Sequence, residues 1–217
     1  MPEIRRLFVP TSEAAVSIEK RDGESQKIVG RAAVFYDDSP DTEYQLFPDL
    51  KERIMPRAFN KALNDRHDVR ALFNHDPNMV LGRTASGTLK LSKSLRGLDY
   101  EIDPPDTSYS KDLSVSIARG DVTGSSFGFI VTEQKFRTEQ ADGGQPIDIR
   151  EIHSVELLDV SPVTYPAYKA TSSGLRSVGD AEEARAARDA WKAEEQLAAE
   201  ARAAKLKAIN ERAASIE

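Results

Sequence analysis

The sequence predicts a mainly β chain with flanking helices (α+β), its strands forming a barrel or a strongly curved sheet, followed by a charged helical tail. Three observations carry this expectation. Up to about Ser172, runs rich in β-branched and aromatic residues alternate with turn formers. Only two segments of that region read as helical. From about Asp180 to Glu217 the composition turns to Ala, Glu, Arg and Lys with no Gly or Pro, strong helix formers with opposite charges spaced to pair along a helix.

Strand character is found at IVGRAAVFY (28–36), DVRALFN (68–74), TLKLSKS (88–94), GLDYEID (97–103), GSSFGFIVTEQKF (124–136) and IREIHSVELLDVSPV (149–163). Helices are expected near 56–64 (PRAFNKALN) and 108–119, the second ending at Gly120 as its C-cap. The polar stretch TEQADGGQP (138–146) reads as a hairpin connection, and TSSGLRSVGD as a flexible linker. The expected organisation is a domain over 1–171, a linker over 172–180 and a helical tail over 181–217. The large apolar residues of the tail (Trp191, Leu197, Leu206, Ile209 and Ile216) form no heptad seam, so a coiled coil is not expected. There is no internal repeat.

Composition narrows the chemistry. The chain has 217 residues, 39% hydrophobic and 30% charged, with a net charge of −6, so neither nucleic acid nor an anionic membrane is expected as a general partner. It has no cysteine, which excludes disulfides, thiolate catalysis and Cys-based zinc sites. Its three histidines, His67, His75 and His153, would nearly all be needed for a His-rich metal site. Met1 to Pro10 has too few consecutive apolar residues for a signal peptide, and no stretch is long enough to span a bilayer. An intracellular, reducing compartment is the expected address.

Nucleophilic catalysis would therefore fall to Ser, Thr or Lys, and a hydroxyl needs a base, most often histidine near neutral pH. Three blocks qualify. In LFNHDPNMVLGR (72–83), His75 ends an apolar strand just before a proline-fixed turn. Taken alone, it reads more readily as a turn histidine bonded to its neighbours. In DVTGSSFGFIV (121–131), Ser126 alternates with Gly128 and Ile130, leaving Phe127 and Phe129 to face a core. Gly128 permits close approach of another chain. In IREIHSVELLDVSPVTYPAY (149–168), His153, Glu156 and Asp159 could each orient an imidazole, or simply be exposed strand residues between apolar packing positions.

Taken together and in order, NHD with LGR, then GSSFGF, then a strand ending DVSPVTYPA resemble the prohead protease family of tailed phages. VGRAAVFY resembles the family's opening strand, and ERIMPRAF its E-x-I-x-P-G-A-F segment, with Arg57 where glycine is usual. The resemblance covers about Val29 to Tyr168. The family is similar to the herpesvirus assemblin proteases, and this implies an assemblin-like closed β-barrel ringed by helices. It also implies Ser126 as nucleophile and His75 as general base, with Ser125 a rival ranked well below Ser126. For the third member, relatives often carry an acidic residue near Ser154. Here His153 is taken narrowly over Glu156, with Asp159 third. The oxyanion donors would be backbone N–H groups, of which Pro162 cannot be one.

The resemblance further implies a serine endopeptidase that cleaves scaffold and capsid protein, and itself, during prohead maturation. Its partners would be the major capsid protein and a scaffolding protein or segment. Assemblin-like enzymes tend to need dimerisation or confinement, so a homodimer is among the expectations. The implied location is inside the prohead in the host bacterial cytoplasm, and the chemistry requires no metal or organic cofactor. On its break in composition, the tail reads equally as a tether into the shell or a self-cleaved segment, and as a solvated helix with no partner. The alternative is a non-catalytic internal scaffolding or capsid-assembly protein retaining the fold, which should have lost Ser126 or His75. Both are present.

Overall fold

The computed structural model describes residues 5–8, 16–20, 26–140, 143–165 and 178–214. Along the chain run β1 (Arg5–Phe8), β2 (Ser17–Glu19), β3 (Lys27–Val34), β4 (Glu43–Phe47), β5 (Leu50–Ile54), α1 (Asn60–Asn64), β6 (Arg70–Phe73) and β7 (Asp76–Arg83). They are followed by β8 (Leu89–Lys93), β9 (Gly97–Ile102), α2 (Ser108–Arg119), β10 (Gly124–Gln140), β11 (Pro146–Val163) and α3 (Val178–Ala214). The architecture is mainly β with few helices.

The strands form two sheets. A seven-stranded sheet runs β1-β10-β11-β5-β4, with β6 beside β11 and β7 beside β6; a four-stranded sheet runs β2-β3-β9-β8. No closed barrel is found among the described residues. The larger sheet ends at β1, β4 and β7 and the smaller at β2 and β8, and none of these edges is paired with another. A shared core joins the sheets: Ile28, Ala32 and Ala33 of β3 and Leu98 of β9 cluster with Phe127 and Phe129 of β10 and Val155, Leu157 and Val160 of β11. Phe127 and Phe129 stack with ring centroids 4.7 Å apart, and Phe59 meets Phe127 edge-on at 5.5 Å.

Periodicity accounts for the elements expected from sequence. On α2, Leu113 and Ile117 lie four residues apart and are buried, so one stripe of the helix faces the core. The helix stops at Gly120, whose φ of 82° is left-handed and whose N–H donates back to Ile117 O. The first expected helix shrinks to α1, because residues 56–59 form turns. Strands β1, β2, β4, β5 and β7 carried no sequence signal. In β4 and β5 the pattern is masked by charge: Glu43 pairs with Lys51 and Arg53, and Glu52 is buried against Arg150.

The linker expected at 172–180 lies partly outside the described residues, and its last three residues are already helical in α3. The front of α3 is docked rather than solvated. Ala184 is buried, Trp191 stacks on Phe136 at 5.7 Å and the Arg185 guanidinium lies 4.1 Å from the Phe47 ring centroid. Arg188 donates to Asp49 (2.7 Å), and Lys192 pairs with Asp148 (2.6 Å). Glu183 approaches the fully buried Arg150 at 3.7 Å. Beyond Lys192 the side chains through Ile209 are almost all exposed. A chain ending after Asp180 is expected to lose roughly 1–3 kcal/mol, the usual cost of stripping partners from buried polar groups. A chain ending after Ala193 should keep its stability. Urea midpoints of the two truncations check this.

Candidate active site

The site is built on the β10–β11 ladder. Ser126 lies opposite Ser161, Phe127 opposite Val160 and Gly128 opposite Asp159. Since successive strand residues point to opposite faces, Phe127 and Val160 enter the core, while Ser126, Gly128, Asp159 and Ser161 share the other face. A register shift follows between Gly128 and Phe129, where Leu157 rather than Leu158 becomes the next partner. That bulge switches the parity of β11, so that Leu157 and Val155 can also face the core.

His75 arrives from a different element. β6 runs parallel to β11, with Arg70 beside Asp159 and Ala71 beside Val160. β6 then turns into β7 through Asn74 and His75, with Phe73 paired to Asp76. Asn74 and His75 have φ of 53° and 58°, the two positive values of a type I′ hairpin turn. Holding a histidine in this region costs about 1–2 kcal/mol, so the turn must be anchored. Asn74 anchors it: its N–H donates to Pro162 O (3.0 Å), its Oδ1 accepts from Thr164 N (2.8 Å) and its Nδ2 donates to Thr164 Oγ1 (3.0 Å). Asp76 closes the other side by accepting from Asn78 N at 2.8 Å.

The result is a continuous chain of hydrogen bonds. His75 Nε2 lies 2.6 Å from Ser126 Oγ, and His75 Nδ1 lies 2.5 Å from Asp159 Oδ1. A carboxylate can only accept, so Nδ1 carries the ring proton and the Nε2 lone pair faces the Ser126 hydroxyl. Ser161 Oγ donates to Asp159 Oδ1 at 2.9 Å and lies 3.3 Å from His75 Nδ1. Ser126 and Ser161 are fully buried and His75 and Asp159 are nearly so. Away from water these interactions are stronger than on a surface.

Gly128 makes the arrangement sterically feasible. A Cβ there would lie 3.1 Å from Asp159 Cγ and overlap Oδ2. The glycine of the SFGF segment thus provides the space that the carboxylate occupies.

The other candidate residues lie elsewhere. Ser125 points to the opposite face, where its Oγ is 2.7 Å from the Tyr100 hydroxyl; burial pushes that hydroxyl well above its ordinary pKa. His153 does not join Ser126 and His75. It sits beside a second register shift of β11, six residues from Asp159, roughly 20 Å along an extended strand. Its Nδ1 accepts from Arg57 Nε and its Nε2 meets Glu151 Oε2, both at 3.1 Å. Glu156 is exposed, opposite Ile130. The group against His75 Nδ1 is therefore Asp159, ranked last of three by sequence. Counting strand parity could not find it because the bulge intervenes. Ser161 was not singled out at all, although it lies two residues from Asp159 and so shares its face.

Residues 13–184 match the model of the Caudovirus prohead serine protease family. The chain belongs to that family. No curated protein matches it. Among solved structures, the bacteriophage T4 capsid assembly protease gp21 aligns with a TM-score of 0.42 and 12% identity. That alignment covers 74% of this chain and 96% of the T4 chain, and so distant a likeness carries no argument here. Among the described residues no helix is long and apolar enough to cross a membrane.

Gly128→Ala tests the packing of this prohead protease family member at its most crowded point. Overpacking there should cost about 1–3 kcal/mol, measured from urea midpoints. A crystal structure of the variant should show Asp159 withdrawn from His75.

Proposed function

We propose that this chain is a serine endopeptidase in which Ser126 is the nucleophile, His75 the general base and acid, and Asp159 the group that orients the imidazole. The carrying observation is the unbroken contact from Asp159 Oδ1 through both nitrogens of His75 to Ser126 Oγ. In this reading Ser126 Oγ attacks the scissile carbonyl as its proton passes to His75 Nε2. Asp159 stabilises the imidazolium that forms. His75 then gives the proton to the departing amine, leaving an acyl group on Ser126. Water, deprotonated by His75, releases that acyl group and restores the serine.

The substrates in this reading are the capsid protein or its scaffolding segment, a separate scaffold protein, and the protease itself, cut inside the immature shell in the host cytoplasm. Family membership supports this choice. The full burial of Ser126 implies that peptide entry requires movement of the covering chain. That fits an enzyme activated by confinement or self-association. The projecting half of α3 would then be available to the shell as a tether or a processing segment.

The test is co-expression with the cognate capsid and scaffold proteins, reading product masses. Ser126→Ala and His75→Ala should each abolish shortening, and unchanged shortening in Ser126→Ala would end the proposal in favour of a scaffolding role. Asp159→Asn should slow processing by about 10⁴-fold, because the amide favours the wrong imidazole tautomer. His153→Gln should process at the wild-type rate in the same assay.

A further inference from the structure

We propose that Ser161 is a positioning residue of this site, holding the Asp159 carboxylate so that it locks His75 in its Nδ1–H tautomer. The proposal rests on the protease reading for its kinetic consequence, but its structural content stands apart from that reading.

Ser161 stands directly across the ladder from Ser126 and has no exposed surface. A buried hydroxyl has to spend its proton on a nearby acceptor, and the acceptor here is Asp159 Oδ1 at 2.9 Å. This is the same oxygen that faces His75 Nδ1. One carboxylate oxygen thus serves two donors, while Oδ2 lies over the bare Cα of Gly128. The two donors and the glycine constrain the carboxylate on both sides.

The electrostatics point the same way. Asp159 is buried, and burying a carboxylate is costly unless hydrogen bonds offset its lost hydration. Ser161 supplies one of those bonds. It also sits 3.3 Å from His75 Nδ1, so the ring proton lies within a pocket of two oxygens rather than against a single one. Ser161 is not a second nucleophile, because the ring nitrogen nearest to it is the one turned to Asp159. The nitrogen that can take a proton faces Ser126.

The experiment observes the His75 imidazole by ¹⁵N NMR in the full chain near neutral pH, in wild type, Ser161→Ala and Ser161→Thr. With three histidines in the sequence, His67→Gln and His153→Gln spectra assign the signals. Wild type should show one Nδ1–H tautomer with a slowly exchanging low-field proton. Ser161→Ala should lose that proton signal, and its nitrogen shifts should move toward a tautomer mixture. Ser161→Thr, which keeps the hydroxyl, should retain both. In the processing assay Ser161→Ala should slow shortening by about tenfold, a fraction of the ~10²-fold cost of a 1 Å misplacement, and Ser161→Thr should restore it. An Nδ1 proton and nitrogen shifts unchanged in Ser161→Ala would overturn the proposal. So would a loss of processing that persists in Ser161→Thr with a wild-type imidazole spectrum. Failure of Ser126→Ala to abolish processing would remove the protease reading and leave the NMR arm still decisive for Ser161.

Discussion

The register of β10 against β11 is the constraint on which the rest of the molecule depends. It sets Ser126 across from Ser161 and Gly128 across from Asp159, and in doing so builds one polar face and one apolar face from the same two segments. A slip of β10 by a single residue would turn its side chains to the wrong side, carrying Ser126 into the core and lifting Phe127 out of it. The core therefore enforces the site. Phe127 and Phe129, stacked on each other and covered by Phe59, resist the slip because their burial would be lost with it.

Two local compromises sit on that frame. His75 occupies a backbone region that side chains avoid, held there by the Asn74 bonds to Pro162 and Thr164 at the end of β11. Asp159 carries a carboxylate into a buried place, tolerated because its neighbours supply donors and Gly128 supplies room. In both cases an unfavourable local term is offset by contacts made only in the folded chain, which is the pattern expected where geometry serves chemistry. Both compromises are secured by the same short stretch of chain, from Asp159 in β11 to Thr164 just past its end. β1, the other neighbour of β10, brings Phe8 opposite Ser126, so Ser126 is bounded by backbone on both sides within its sheet.

The far end of the same long hairpin carries a different polar arrangement. Arg150 and Glu52 are fully buried as a pair, with Gln134 accepting from Arg150 Nε. Buried ion pairs add little net stability but penalise any arrangement that leaves one partner alone. Their value here is to specify how β5, β11 and the front of α3 come together, since Glu183 of the helix approaches the same guanidinium. The rest of α3 leaves the body as a charged rod whose few large apolar residues, Leu197, Leu206 and Ile209, are exposed.

The mainly β architecture with few helices was legible in the sequence, and so was the local setting of Ser126 and His75, because both rest on local rules. Alternation exposes strands, a glycine after a periodic helix marks its end at Gly120, and the neighbourhoods of Ser126 and His75 are unusual enough to be recognised by likeness. The openness of the sheets, the docking of the helix that composition made look solvated, and the identity of the residue behind His75 were decided by tertiary structure. A single bulge near Leu158 changes which side of β11 each residue faces, and no count along the sequence can see it. Asp159 and Ser161 reach His75 only because β6, far earlier in the chain, lies alongside β11. His153 is turned instead toward Arg57 and Glu151 by an irregularity of its own. Such contacts depend on distances between segments about 80 residues apart, which composition and periodicity, being properties of neighbours, do not contain.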